Sequence, residues 1–232
     1  KLISNLEKEI TLRFLKARKN DGFLNVISIF SFIGISLGVA VLIIVMSVMN
    51  GFRTELINKI VGFNAHITVK PYENKIEIDK LKQTNLNLIS KNLILSNSGE
   101  AIVIKEKTSK GIIIRGYSDQ DFSTLDLVNN NNFEGDKTNL IKNFISIGKE
   151  LSFTLDLSIG DDITIMSSSG IETIIGNIPK QKTFTVVSIF ESGLIDFDNN
   201  IAFINLSTLE EFFNLNKEDQ NLEIYLKNPQ KI

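Results

Sequence analysis

The chain has 232 residues, 25 basic and 27 acidic, and its formal net charge of −2 hides an uneven distribution. Residues 1 to 21 carry six basic and three acidic side chains, which leaves nineteen basic against twenty-four acidic on the remaining 211. That larger part has no basic stripe of the kind a phosphate backbone needs, which argues against nucleic-acid binding, and the absence of cysteine removes thiolate metal sites, disulfides and cysteine nucleophiles together.

In chain order, the first expected element is an amphipathic helix. Ile3, Leu6, Ile10, Phe14 and Ala17 recur at spacings of three and four, with Lys8, Arg13, Lys16 and Lys19 mostly off that stripe. This is the pattern of a helix lying in a membrane interface with its cations toward anionic head groups, the plainer alternative being an ordinary solvated helix end. Asp21-Gly22 marks a turn. Gly22 to Phe52 then run for 31 residues without a charged side chain. As a helix that run is about 46 Å long against an apolar bilayer core of about 30 Å, long enough to span. A cleavable signal peptide has an apolar region of only about 7 to 15 residues and a small-x-small cleavage site, which the stretch from Val45 to Arg53 does not offer.

The flanks orient the span. The amino-terminal side carries the basic excess, whereas the comparable stretch beyond holds Arg53, Lys59 and Lys70. The basic end is expected in the cytoplasm and the chain from about residue 53 onward outside it, which for a bacterial inner membrane is the periplasm. Gly34 and Gly38 lie one turn apart on one helix face, with Ser31 and Ala40 near that side. Small residues let another helix backbone approach closely, so this helix is expected to have neighbours.

Beyond the span a polar helical signal continues from Phe52 to Val61, with Gly62 as its stop. Ala65 to Lys70 alternates as a strand, Ile78 to Ile89 has helical spacing, and Ala101 to Lys105 and Gly111 to Arg115 read as paired strands around Thr108-Ser109-Lys110. Asn129 to Asn132 reads as a solvated loop. A short helix is expected at Gly148 to Leu155, a turn at Gly160-Asp161, and strands at Ile163 to Met166, Phe184 to Phe190, Ile201 to Ile204 and Leu222 to Leu226. Ser207-Thr208-Leu209-Glu210 is a capping-box string opening a helix through Phe213. The organisation is therefore a cytoplasmic interfacial helix over 1–21, a transmembrane helix over 22–52, and a mixed α+β domain over 63–232.

Little supports catalysis. His66, the single histidine, falls in an expected strand beside the membrane, where a structural role is the ordinary one. No Gly-x-x-x-x-Gly-Lys-Ser/Thr string occurs; Gly148-Lys149-Glu150 lacks the upstream glycine spacing and the hydroxyl that binds magnesium. Asp161, Asp162, Asp196 and Asp198 sit at expected turns, where aspartate caps and turns need no chemistry. One segment stands out: residues 167 to 183, between the strands ending at Met166 and starting at Phe184, read as a long loop carrying four isoleucines. Loops this long in compact domains are uncommon and often functional. An apolar tip flanked by Lys180 and Lys182 suits docking to a partner with an apolar rim; alternatively the isoleucines fold back onto the domain.

The strings Phe30 to Val39 and Val45 to Leu56, with Ser47-Val48-Met49-Asn50-Gly51-Phe52 at their centre, resemble the first transmembrane segment of the LolC/LolE family, the permease subunits of ABC-type lipoprotein-releasing complexes. Gly116-Tyr117-Ser118, Ile147-Gly148-Lys149-Glu150-Leu151 with Leu155 to Asp161, and Gly176 to Phe184 extend the resemblance along the chain; the Gly-Lys-Glu-Leu and Gly-Asp elements are shared with MacB-like exporters. The resemblance implies four transmembrane helices around a large MacB-like periplasmic domain, so the chain is expected to be a fragment lacking the end of that domain and three spans. It implies a non-enzymatic subunit that binds no cofactor, with ATP and magnesium on a separate ATPase dimer. The other implied partners are a second permease subunit, identical or paralogous, membrane lipid, lipoprotein substrates and the periplasmic chaperone LolA. Residues Gly170 to Lys182 match in place the hook that holds that chaperone, which makes Ile171, Thr173, Ile174, Ile175, Gly176, Ile178, Pro179, Gln181 and Lys182 the candidate binding residues; the tip, often proline or methionine in the family, is Ile174-Ile175 here. Val45, Met46, Val48, Met49 and Phe52 are candidates for an acyl path, although lipid-facing residues have the same character. The alternatives are a MacB-like efflux or mechanotransmission permease and a single-span receptor.

Overall fold

The computed structural model describes residues 4–15, 22–72, 76–82, 84–106, 108–129, 132–138, 140–173 and 176–229. They fall into two compact units, Lys1–Leu56 and Ile57–Ile232. In the first, helix α1 (Asn5–Leu15) opens on a reciprocal cap. Ser4 Oγ accepts from the Leu6 amide at 3.2 Å and the Ser4 amide donates to Glu7 Oε2 at 2.7 Å, which satisfies two of the amides a helix start leaves open. Ile3 and Ala17 of the expected stripe, and Asp21 of the expected turn, lie outside the described residues. Helix α2 (Gly22–Phe63) contains a 31-residue segment, Val26–Leu56, long and apolar enough to cross a membrane. It is exposed and apolar around its circumference, as a helix bathed in lipid is. It passes through Gly62, so that glycine does not stop it; one glycine is tolerated inside a helix at a cost of about 1 kcal/mol.

The second unit continues with β1 (Ile67–Val69), α3 (Ile78–Lys82), α4 (Leu86–Ile89), β2 (Ser90–Lys105), β3 (Thr108–Tyr117), α5 (Asp119–Thr124), β4 (Glu134–Gly135), β5 (Phe144–Gly148), α6 (Lys149–Leu155), β6 (Asp162–Thr173), β7 (Gly176–Phe190), α7 (Ile195–Asn200), β8 (Ile201–Asn205), α8 (Leu206–Phe213) and β9 (Asn221–Leu226). Six strands close on themselves: β2 pairs with β3, β3 with β8, β8 with β5, β5 with β7, β7 with β6, and β6 returns to β2. Closure removes the unpaired edges an open sheet would carry. The period-two pattern of each strand supplies the interior, two residues at a time: Ala101 and Val103, Ile112 and Ile114, Ala202 and Ile204, Ile145 and Ile147, Phe184 and Val186, Ile163 and Ile165. Leu151 and Leu155 of α6 and Leu209, Phe212 and Phe213 of α8 join the same core.

The barrel wall is covered on part of its outside as well. Phe203, between the two inward residues of β8, faces outward into a second core with Phe122 of α5 and Phe190 of β7, at ring separations of 5.7 and 5.0 Å. Strand β2 is shared between two sheets: Ser90 to Ser96 pair with β9, and Asn97 to Lys105 pair with β3. Strand β9 also takes β1 on its other side, and Leu222, Ile224 and Leu226 pack on a third cluster that includes Ile78 and Leu81 of α3.

Several expected elements change. The helix expected over Ile78 to Ile89 is two, because the Thr84 amide and hydroxyl both bond the Leu81 carbonyl and close α3. The β2–β3 turn lies beyond Lys105, which pairs with Thr108, so Thr108-Ser109-Lys110 are strand. Helix α8 is capped by Asn205, whose side chain accepts from the Ser207 amide, rather than by Ser207. Asp196 and Asp198 belong to a helix, α7, not to a turn. The expected loop over 167–183 is strand on both sides, the continuation of β6 and β7. Its Ser, Gly and Pro content hides a ladder interrupted by one bulge, and Pro179, which has no amide to donate, is tolerated where no third strand pairs among the described residues.

Candidate docking hairpin

Strands β6 and β7 run past the barrel. Their last barrel pairs include Ile165–Lys182 and Met166–Gln181; the ladder then resumes at Gly170–Pro179 and continues through Ile171–Ile178 and Glu172–Asn177 to Thr173–Gly176. Between the two stretches β6 has three residues, Ser167, Ser168 and Ser169, where β7 has only Lys180. Beyond this bulge the two strands pair only with each other among the described residues, since β2 leaves β6 at Ser167 and β5 meets β7 from Thr185. The result is a two-stranded arm. Ile178 is 56% exposed, and Gly176, Pro179 and Gln181 are exposed with it. Ile171 and Thr173 are placed on the arm by register, and Ile174 and Ile175 lie outside the described residues.

The two lysines do not simply flank the tip. They continue the inward row of Phe184 and Val186. The Lys182 ammonium stands 5.6 Å from the Phe184 ring centroid, a cation over an aromatic face. The Lys180 ammonium donates to the Glu211 carbonyl at 3.1 Å and to Asn214 Oδ1. Gln181 points the other way, its Nε2 lying 3.7 Å from Met166 Sδ. Beside the root of the arm an open groove of about 700 Å³ is lined by Ile102, Ile113, Met166 and Pro179 among others, with Ile102 and Ile113 partly exposed in its floor.

On α2, Val45, Met46, Val48, Met49 and Phe52 are all exposed, and a Cβ added at Gly34 or Gly38 would meet nothing within 4 Å. His66 is a structural residue: its Nδ1 accepts from the Leu226 amide at 2.9 Å and its own amide donates to the Ile224 carbonyl. The sequence reading missed a buried polar cluster next to it. Glu223 accepts from Ser96 Oγ at 2.6 Å, from the Tyr117 hydroxyl at 2.9 and 3.1 Å, and from the Tyr225 hydroxyl at 2.9 Å. Burial raises the pKa of both tyrosines, and the nearby Glu223 charge adds to the rise, so both remain donors. A glutamate alternating with Leu222 and Ile224 resembles a solvent-facing residue, and only the second core layer buries it.

A family model described as the MacB-like periplasmic core domain matches residues 28–232. The chain is 28% identical to the "Lipoprotein-releasing system transmembrane protein LolC" of Neisseria meningitidis serogroup B, over 97% of its own length and 55% of that protein. It is 28% identical to LolC of Haemophilus influenzae, covering 96% of the chain and 56% of the relative, and 27% identical to LolE of the same organism, covering 94% and 54%. It thus spans about half the length of the curated relatives it matches. Among solved structures it is similar to the periplasmic region of MacB from Actinobacillus actinomycetemcomitans, with a TM-score of 0.46 at 9% identity over 77% of the chain and 81% of that structure. It is also similar to the extracellular domain of the transporter YknZ from Gram-positive bacteria, with a TM-score of 0.45 at 13% identity over 69% and 84%. The match over residues 28–232 places the chain in the family of the MacB-like periplasmic core domain, with LolC and LolE proteins among its relatives.

Proposed function

We propose that the chain belongs to the transmembrane permease subunit of an ABC-type transporter that releases lipoproteins from the inner membrane, and that the β6–β7 arm captures the periplasmic chaperone that receives them. In this reading the amino-terminal helix is cytoplasmic, the barrel is periplasmic, and ATP hydrolysis belongs to a separate subunit dimer. The observation that carries it is the arm itself: two strands that leave a closed barrel and present Ile178 and Pro179 to solvent. The relatives' printed names, which describe lipoprotein-releasing transmembrane proteins, and the 31-residue apolar helix support it. Pulling acyl chains out of lipid costs about 0.8 kcal/mol per CH₂, so such a transporter needs both an energy source and a receiving partner. Val45, Met46, Val48, Met49 and Phe52 are the proposed acyl path.

The test is a titration of the full chain in detergent with a purified chaperone of the LolA type, beside thermal melts. Ile178→Asp, and Ile174→Asp with Ile175→Asp, are expected to cost about 2 to 4 kcal/mol of binding, because a charge is forced into a dry contact. Melting temperatures should hold. Normal binding by these variants, or loss that tracks unfolding, turns the arm into packing and favours an efflux-type permease.

A further inference from the structure

The arm has its own aiming device. A bulge such as Ser167-Ser168-Ser169 opposite Lys180 bends the strand that carries it and lets the pairs beyond it leave the line of those before. The bend alone is soft, since a two-stranded ribbon has no third strand to hold it. Lys180 sits at the bend, and its ammonium bonds the Glu211 carbonyl and Asn214 Oδ1. Both acceptors belong to one end of α8: Glu211 is in its last turn, and Asn214, left-handed at φ 55 and ψ 41, is its C-cap. The last carbonyls of a helix lack amide partners and form the negative end of its dipole, so a cation is held there by charge as well as by hydrogen bonds. Helix α8 is itself fixed, with Leu209, Phe212 and Phe213 packed in the barrel core.

We propose that Lys180 is a positioning residue that clamps the root of the arm to the C-terminal end of α8 and so fixes the direction in which the arm meets its partner, an inference that rests on reading the arm as a docking element. The lysine acts through the arm and not as a charge offered to the partner, because its ammonium already has two acceptors on α8. Residues 178 and 153 are exposed at 56% and 69%, and the chain has no cysteine. Nitroxide labels on Ile178→Cys and Phe153→Cys in the full chain in detergent therefore report arm direction as a distance distribution by pulsed electron resonance.

Lys180→Met should broaden that distribution roughly twofold at an unchanged melting temperature. Lys180→Arg should restore it, because a guanidinium also donates to carbonyls. Asn214→Gly, which suits the left-handed backbone and removes the side-chain acceptor, should broaden it as Lys180→Met does. Affinity for the LolA-type chaperone, measured without labels, should fall about fivefold in Lys180→Met and recover in Lys180→Arg. A distribution unchanged in Lys180→Met, or not restored by Lys180→Arg, overturns the clamp. Broadening and recovery with no change in affinity overturns Lys180 as a positioning residue for docking; failure of the docking reading shows separately, as normal binding by Ile178→Asp.

Discussion

Asp198 and Glu223 show how burial decides the behaviour of a carboxylate. Asp198 is 2% exposed and accepts from the Ser192 amide at 2.9 and 3.1 Å. Burial outweighs those bonds and raises its pKa, with the Glu191 charge adding to the rise. The folded state then keeps the proton to a higher pH than the unfolded chain does. Stability from this group is complete below the unfolded value of about 4 and is lost as pH rises through the folded one. Asp198→Asn keeps an acceptor for Ser192 and cannot ionise. Thermal melts from pH 4 to pH 7 are therefore expected to show the parent losing ground to Asp198→Asn as pH rises; a gap independent of pH contradicts this. At Glu223 the partners matter, because three hydroxyls donate to it. Glu223→Gln loses part of its acceptor capacity and should cost about 1 to 3 kcal/mol, whereas Tyr225→Phe removes one bond and should cost about 1 kcal/mol. Denaturant unfolding gives the order, and a reversed order means that Glu223 is not the shared acceptor of the cluster.

At the scale of elements, the apolar span, the strands at Ile163 to Met166 and Ile201 to Ile204 and the helix after Gly148 are legible in the sequence because each is set by local pattern, whereas β5 is not. Nor is the barrel. Its closure depends on β2 pairing with both β3 and β6, a tertiary choice that period-two alternation does not encode. The arm reads as a loop in sequence for a local reason: Ser, Gly, Asn and Pro are turn formers, and here they occupy a bulge and an edge ladder. Its place as the candidate site was legible nonetheless, from the length of the segment and its isoleucines. The Lys180 contact was not, because its acceptors lie 31 and 34 residues away. Close packing of elements also sets one sharp expectation. A Cβ at Gly148 would lie 2.0 Å from the Asp198 carbonyl oxygen, whereas one at Gly111 would meet nothing within 4 Å. Gly148→Ala should thus push α7 off β5 and cost on the order of 3 kcal/mol, with Gly111→Ala within about 0.5 kcal/mol. Equal melting temperatures for the two would contradict this packing.

For the whole molecule, topology comes first. The chain has no cysteine, so Ser4→Cys and Phe153→Cys can be labelled one at a time with an impermeant thiol reagent on intact spheroplasts. Labelling is expected at 153 and not at 4, and labelling at 4 alone reverses the orientation. What the proposed function turns on is contact between the arm and a chaperone. Its most direct test is a photoactivatable amino acid placed at Ile178, or at the more exposed Phe153 as a control, in living cells that make the whole transporter. A covalent adduct with the lipoprotein chaperone is expected from position 178 and none from position 153; no adduct from 178, or equal adducts from both, would overturn the docking role of the arm.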